Sequence, residues 1–66
     1  MDTVSALGLE IRRARKDAGW TQGQLAELAE VSERTVRALE TATGNPSLRA
    51  VASVLNVLGL KLGVGR

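Results

Sequence analysis

Several residue types that commonly carry chemistry are missing from this sequence of 66 residues. It has no cysteine and no histidine. The first absence excludes disulfides and thiolate metal sites, and the second removes the commonest general base and metal ligand. Its serines therefore have no obvious partner to activate them as nucleophiles. We expect no catalytic site, no metal and no cofactor.

Long apolar runs and a strong excess of one charge are missing as well. No run approaches the roughly 18 residues that span a bilayer, and the acidic Met-Asp start lacks the basic region of a secretion signal, so we expect a cytoplasmic protein. The net charge is only +2, and four of the nine basic residues lie in the segment "RRARK" at 12–16. Any binding to nucleic acid should depend on a few well-placed contacts and only moderately on salt.

A few strong breakers divide the chain into helical segments of one domain, residues 1–66. They are Gly19, the cluster "TGNPS" at 43–47 and the glycines at 59, 63 and 65. Apolar periodicity predicts helices over about 4–18, 22–29, 33–41 and 47–58. The residues expected to face the core of the first two helices are Val4, Leu7, Ile11, Ala14, Ala18, Leu25, Leu28 and Ala29.

Start signals support the second helix. Thr21 and Gln24 have the spacing of a capping box, and Trp20 and Leu25 occupy the positions of a hydrophobic staple. The staple position favours core packing for Trp20, the only aromatic residue, over stacking on a base.

The stretch "LAELAEVSERTVRALE" at 25–40 could be one long helix or two helices joined by a turn. An unbroken helix would place the hydroxyl of Ser32 in its apolar seam. A break makes Ser32 an N-cap, pairs Val31 with Val36 as a staple and puts Glu33 in a first turn, where the helix dipole favours an acid. These local features predict two helices, although Glu30 then occupies a turn position that glycine adopts more easily.

Two alternatives remain for the residue that caps the fourth helix, and two for the structure of the tail. Either Asn45 or Ser47 can cap the helix, and its expected apolar face comprises Leu48, Val51, Ala52, Leu55 and Leu58. In the tail, Leu60, Leu62 and Val64 alternate with Lys61 and Gly63, which predicts a strand over about 60–64. A lone strand needs a partner, and the same strand of a second copy would provide one. The alternative is a tail whose leucines fold back on the helices.

These motifs together resemble a known family. The patterns "R..R...G.TQ..LA", "VS..TV..LE" and "NPSL" occur in order in this sequence, and the chain resembles the helix-turn-helix domains of lambda-type repressors and Cro, also called the xenobiotic response element family. Within that family, "GNPSL" and "VLNVLGLKL" are most similar to HipB-type antitoxins. The resemblance implies an all-α, lambda-repressor-like bundle of four helices with a short C-terminal β-strand pairing across a homodimer.

The resemblance also implies roles for individual residues. Gln22 would meet a phosphate at the start of the second helix, and the third helix would enter the major groove. Arg34 is the best candidate for reading a guanine, whereas Glu33 could accept from cytosine N4 or serve only the helix dipole. The implied DNA-binding residues are Gln22, Ser32, Glu33, Arg34, Thr35 and Arg37.

Two further implications concern structure. Arg15 and Glu40 match positions that form a partly buried ion pair in the family. Glu30 and Ala42 replace glycines that are frequent in the family's turns, at a cost of about 1 kcal/mol each if a left-handed conformation is kept. Leu60, Leu62 and Val64 would form the dimer interface.

The expected function is that of a sequence-specific repressor of double-stranded DNA in the bacterial cytoplasm, associated with the nucleoid. The similarity to HipB implies an antitoxin that binds a HipA-like kinase toxin and represses its own operon. A stand-alone phage-type regulator remains an alternative. So does a protein-interaction module without physiological DNA binding, which the nearly neutral third helix would suit.

Overall fold

The computed structural model describes residues 3–60, which form four helices. They are α1 (Thr3–Asp17), α2 (Gln22–Ala29), α3 (Glu33–Thr41) and α4 (Leu48–Leu58). These bounds agree with the predicted segments to within one residue at every end. None of the helices within the described range is long and apolar enough to cross a membrane.

Local signals start the last three helices as the sequence predicts. The Thr21 hydroxyl accepts from the backbone N–H of Gln24, whose side chain accepts from the backbone N–H of Thr21, completing the capping box. Ser32 caps α3 and breaks the stretch 25–40 into two helices. Ser47, rather than Asn45, caps α4 by accepting from the backbone N–H of Ala50.

All four helices end in the same hydrogen-bonding pattern. A residue with a positive φ follows each helix, directly after α2, α3 and α4 and one position further on after α1, and the next N–H donates back to a carbonyl five residues earlier, as in a Schellman motif. Gly19 and Gly59 fill that position after α1 and α4. Glu30 and Ala42 fill it after α2 and α3 with φ values of 59° and 56°, so both keep the left-handed conformation that glycine adopts more easily.

The core lies where all four helices meet. Its largest fully buried side chains are Ile11, Leu25, Val36 and Val54, so each helix contributes one. Trp20 is half-buried and packs against this cluster, as the staple predicts.

Gly8 permits a close approach of α1 to α3. A Cβ built on it would lie 2.5 Å from the carbonyl oxygen of Leu39 and 2.8 Å from that of Glu40. Both are backbone atoms, so α1 packs directly on α3 at this point. This contact was not predictable from the sequence, because a glycine inside an apolar pattern does not reveal what lies opposite.

Three large apolar residues expected in the core are exposed instead, as are the smaller Ala18 and Ala52. Val4 is 61% exposed because the packed face of α1 begins a turn later, at Leu7 and Gly8. Leu28 is 52% exposed and Leu48 is 73% exposed.

The last two differences have a common cause. In α2 the buried stripe runs through Leu25, Ala26 and Ala29, so the helix is turned away from Leu28. In α4 the buried residues are Val54 and Leu55, while Ala52 is exposed. Each apolar stripe is wider than the contact it makes, and packing against the neighbouring helices selects which flank is buried.

The predicted strand falls mainly on residues 61–64, including Leu62 and Val64, which lie outside the described residues. Leu60 is described, and within residues 3–60 there is no strand. Leu60 is half-buried against the core of its own chain, and its N–H donates to the carbonyl of Leu55 at 2.8 Å. This contact matches the alternative in which the tail leucine folds back on the helices.

Candidate nucleic-acid interface

Helices α2 and α3 are joined by the turn 30–32. In this turn the N–H of Val31 donates to the Ala26 carbonyl at 3.0 Å, which closes α2, and Ser32 then opens α3. The buried side of α3 carries Val36, Leu39 and Glu40. The opposite side of α3 therefore faces solvent. The local hydrogen bonds of the turn set the direction in which α3 leaves α2.

The exposed side of α3 carries the predicted contact residues. Glu33, Arg34 and Arg37 are all exposed. Arg34 has no side-chain partner within residues 3–60, whereas Arg37 Nη2 lies 3.5 Å from Glu33 Oε2. Both members of this pair are more than half exposed, so it contributes little to stability. Arg34 thus offers a free guanidinium, and Arg37 a partly neutralised one.

Ser32 and Thr35 are less available than the resemblance implies. The Ser32 hydroxyl accepts from the backbone N–H of Thr35 at 3.1 Å, and the two hydroxyls lie 2.9 Å apart. Their hydrogen bonds therefore already stabilise the first turn of α3, and they can offer only their remaining lone pairs or protons to a ligand.

Gln22 is positioned by a buried ion pair. Arg15 and Glu40 are each 8% exposed, with Arg15 Nε 2.6 Å from Glu40 Oε2 and Arg15 Nη2 3.1 Å from Glu40 Oε1. The amide nitrogen of Gln22 donates to the same Glu40 Oε1 at 3.2 Å. The predicted ion pair is confirmed, and it connects α1 and α3 to the first residue of α2.

The third nitrogen of the Arg15 guanidinium also has a partner. Its Nη1 donates to the backbone carbonyl of Trp20 at 2.8 Å. The hydrogen bond to Glu40 raises the pKa of Arg15, desolvation opposes that shift, and the charge of Glu40 adds to it. The guanidinium therefore stays charged, and within residues 3–60 no buried side-chain nitrogen or oxygen lacks a partner.

The bond from Gln22 to Glu40 was not predicted from the sequence, where the resemblance implies only a phosphate contact for Gln22. One amide hydrogen remains free after this bond. The first-turn N–H groups of α2 also lack intrahelical acceptors, except where Thr21 caps them. An anion at this helix start would thus meet donors that the ion pair holds in place.

A cleft of about 370 Å³ adjoins α3 and extends the candidate surface into the following loop. Its lining residues are Arg34, Thr35, Arg37, Ala38, Thr43, Gly44, Asn45 and Pro46. The loop residues among them were not predicted as part of the site, because nothing local in "TGNPS" indicates which helix the loop will lie beside. A larger groove, of about 600 Å³, lies between α2 and α4 and contains none of the predicted contact residues.

Comparison with known proteins agrees with this geometry. The family model for the helix-turn-helix domain matches residues 6–64, nearly the whole chain. No curated protein matches the chain.

Proposed function

Since the chain belongs to the helix-turn-helix domain family, whose members bind DNA, we propose that it is a sequence-specific repressor of transcription that binds double-stranded DNA with α3 in the major groove. One observation carries this proposal. The solvent-facing side of α3 presents Arg34 free of any side-chain partner within residues 3–60, on a helix whose start and opposite face are fixed by Ser32 and the core.

The chemistry of this surface suits a duplex. Arg34 can donate two parallel hydrogen bonds to O6 and N7 of guanine, and Arg37 can reach a neighbouring base or phosphate. Gln22 and the first-turn N–H groups of α2 would hold a backbone phosphate, which fixes the register of α3 without reading sequence. Ser32 and Thr35 would contribute contacts from the first turn of α3.

A homodimer would let the protein read two half-sites roughly 34 Å apart on one face of the duplex. We propose that the tail provides the contact through Leu62 and Val64, with Leu60 anchoring it to the core. The alternating apolar pattern at 60–64 supports a strand that pairs with its copy across a two-fold axis.

The similarity to HipB-type sequences suggests a biological role in the bacterial cytoplasm. In that role the protein is an antitoxin that binds a HipA-like kinase and represses its own operon. Binding of the product of an adjacent kinase-like gene, measured by isothermal titration, would distinguish this role from that of a stand-alone regulator. The absence of heat from such a titration would favour the stand-alone regulator.

A protein-interaction module is the second candidate. The observation that favours it is the pairing of Glu33 with Arg37, which lowers the net positive charge of the exposed side of α3.

Selection of binding sites from a random duplex pool, followed by titration of single variants, separates these functions. We expect Arg34→Ala to weaken binding to the selected duplex by about 1–3 kcal/mol and to relax preference at one base pair. Arg37→Ala should weaken it less, because Glu33 already partly neutralises Arg37. Arg49→Ala is the matched control, since Arg49 is an exposed arginine that lines the groove between α2 and α4.

If the pool yields no preferred sequence, or if both α3 variants bind like Arg49→Ala with melting curves unchanged, α3 is not a recognition helix.

A further inference from the structure

The carboxylate of Glu33 lies between two parts of the candidate interface. One oxygen, Oε2, is 3.5 Å from Arg37 Nη2. The other, Oε1, is 3.5 Å from the position that a Cβ would occupy on Gly23. The Glu33 carboxylate therefore pairs with the exposed arginine of α3 and faces the first turn of α2.

Gly23 is the residue of α2 that this carboxylate faces. It is the second residue of α2, and a Cβ on it would meet Glu33 Oε1 at ordinary van der Waals distance, so the carboxylate lies near the helix start. The first turn of an α-helix attracts anions through its free N–H groups and its dipole. Glu33 places a fixed negative charge beside the donors that would otherwise attract a phosphate.

This charge opposes binding to any duplex. A carboxylate within a few ångströms of the phosphate path repels it, and it also reduces the field of Arg37. A role confined to the dipole of α3 would not require a position near Gly23 or a pairing with Arg37, because any acid in the first turn provides it.

We propose that Glu33 is a selectivity residue of the DNA-binding surface. Its charge weakens binding to every sequence, and part of that loss is regained only at sites whose bases offer an amino donor, such as cytosine N4, to the carboxylate. Non-cognate duplexes bear the full repulsion, so the ratio of cognate to non-cognate affinity rises. The inference rests on the proposed function and adds to it the residue that discriminates between sequences.

The test compares Glu33→Gln with Glu27→Gln, which makes the same change in net charge at an exposed site of α2. Wild-type protein first selects its preferred duplex from a random pool. The affinities of all three proteins for that duplex and for a scrambled one are then measured by fluorescence anisotropy at several salt concentrations. Thermal melting checks that each variant is folded.

We expect Glu33→Gln to bind the scrambled duplex about fivefold more tightly at low salt, with a salt slope steeper by about one, because one interfacial repulsion is lost. The gain on the selected duplex should be smaller, so the affinity ratio falls. Glu27→Gln should shift both duplexes by less than about twofold and leave the ratio unchanged.

Two outcomes overturn the inference, and they can be told apart. If the wild type selects a sequence but Glu33→Gln leaves the ratio of affinities unchanged or raises it, Glu33 is not a selectivity residue and the proposed function stands. If the wild type selects no sequence, the proposed function fails and the inference fails with it.

Discussion

At the scale of single residues, Gly8 decides how closely α1 approaches α3. Replacing it with alanine would place a methyl group 2.5 Å from the carbonyl oxygen of Leu39, so the helices must separate. Alanine favours the helix by up to about 1 kcal/mol, but overpacking typically costs about 1–3 kcal/mol. We expect Gly8→Ala to lower the free energy of unfolding by about 2 kcal/mol in urea denaturation.

Gly23→Ala is the control for this prediction. Its added methyl would meet Glu33 Oε1 at 3.5 Å, an ordinary contact, so this variant should be neutral or more stable by up to about 1 kcal/mol. Equal stabilities of the two variants would show that the contact at Gly8 relaxes without cost.

The buried pair of Arg15 with Glu40 is the other feature that depends on individual side chains. Removing either partner leaves the other charge buried without compensation, and loss of Glu40 also frees the amide of Gln22. We expect Arg15→Met and Glu40→Met each to cost about 3–5 kcal/mol, and the double variant to cost less than their sum.

Chemical denaturation of the wild type, the two single variants and the double variant measures this coupling. Additive costs would mean that the two side chains act independently.

The stability that Arg15 contributes also depends on pH. Because the pKa of Arg15 is raised in the folded state, this stabilisation is present at neutral pH and is lost only as the pH rises through that raised pKa.

At the scale of helices, the two C-terminal caps that lack glycine make the fold less stable than glycine at the same positions would. Glu30 and Ala42 have φ values of 59° and 56°, a conformation that costs an L-residue about 1–2 kcal/mol and glycine much less. Glycine also has more freedom to lose on folding. We therefore expect Glu30→Gly and Ala42→Gly each to stabilise the fold by about 0.5–1 kcal/mol.

Glu27→Gly provides the comparison, since this exposed residue lies inside α2 and the same substitution should destabilise the fold by about 1 kcal/mol. Thermal melting distinguishes the two signs. A lower melting temperature for Glu30→Gly than for the wild type would mean that the side chain of Glu30 contributes more than its backbone strain costs.

At the scale of the whole molecule, the tail should determine the oligomeric state. We expect light scattering to show a dimer for the full chain and a monomer for a chain that ends at Leu60, which keeps the contact of Leu60 with the core. Leu62→Asp in the full chain should also give a monomer, because a charge would lie in the apolar face of the paired strands. Lys61→Gln, on the other face of the predicted strand, should stay dimeric. A monomeric full chain would contradict the proposed dimer.

The family fold and the caps were predictable from the sequence because the interactions that define them are local. Thr21 with Gln24, and Ser32 with Thr35, join residues three positions apart, so their spacing alone predicts where α2 and α3 begin. The break after Ala29 was predicted for the same reason, and only the choice between Asn45 and Ser47 needed the structure. The exposed position of Arg34 follows from the phase of α3, whose other side carries the core residues.

What only the tertiary structure decided involves residues far apart in the chain. The burial of Ala26 and Val54 in place of Leu28 and Leu48 depends on how each helix is rotated against its neighbours, which an apolar stripe wider than the contact leaves open. The local sequence pattern also does not determine how closely α3 approaches Gly8. Nor does it show that Gln22 donates to Glu40, 18 positions away. The sequence by itself determined the helices and the direction in which α3 presents its arginines. Packing decided which groups lie beside those arginines, including the carboxylate of Glu33 near Gly23, because residues of α2 and α3 come together only once the two helices are in place.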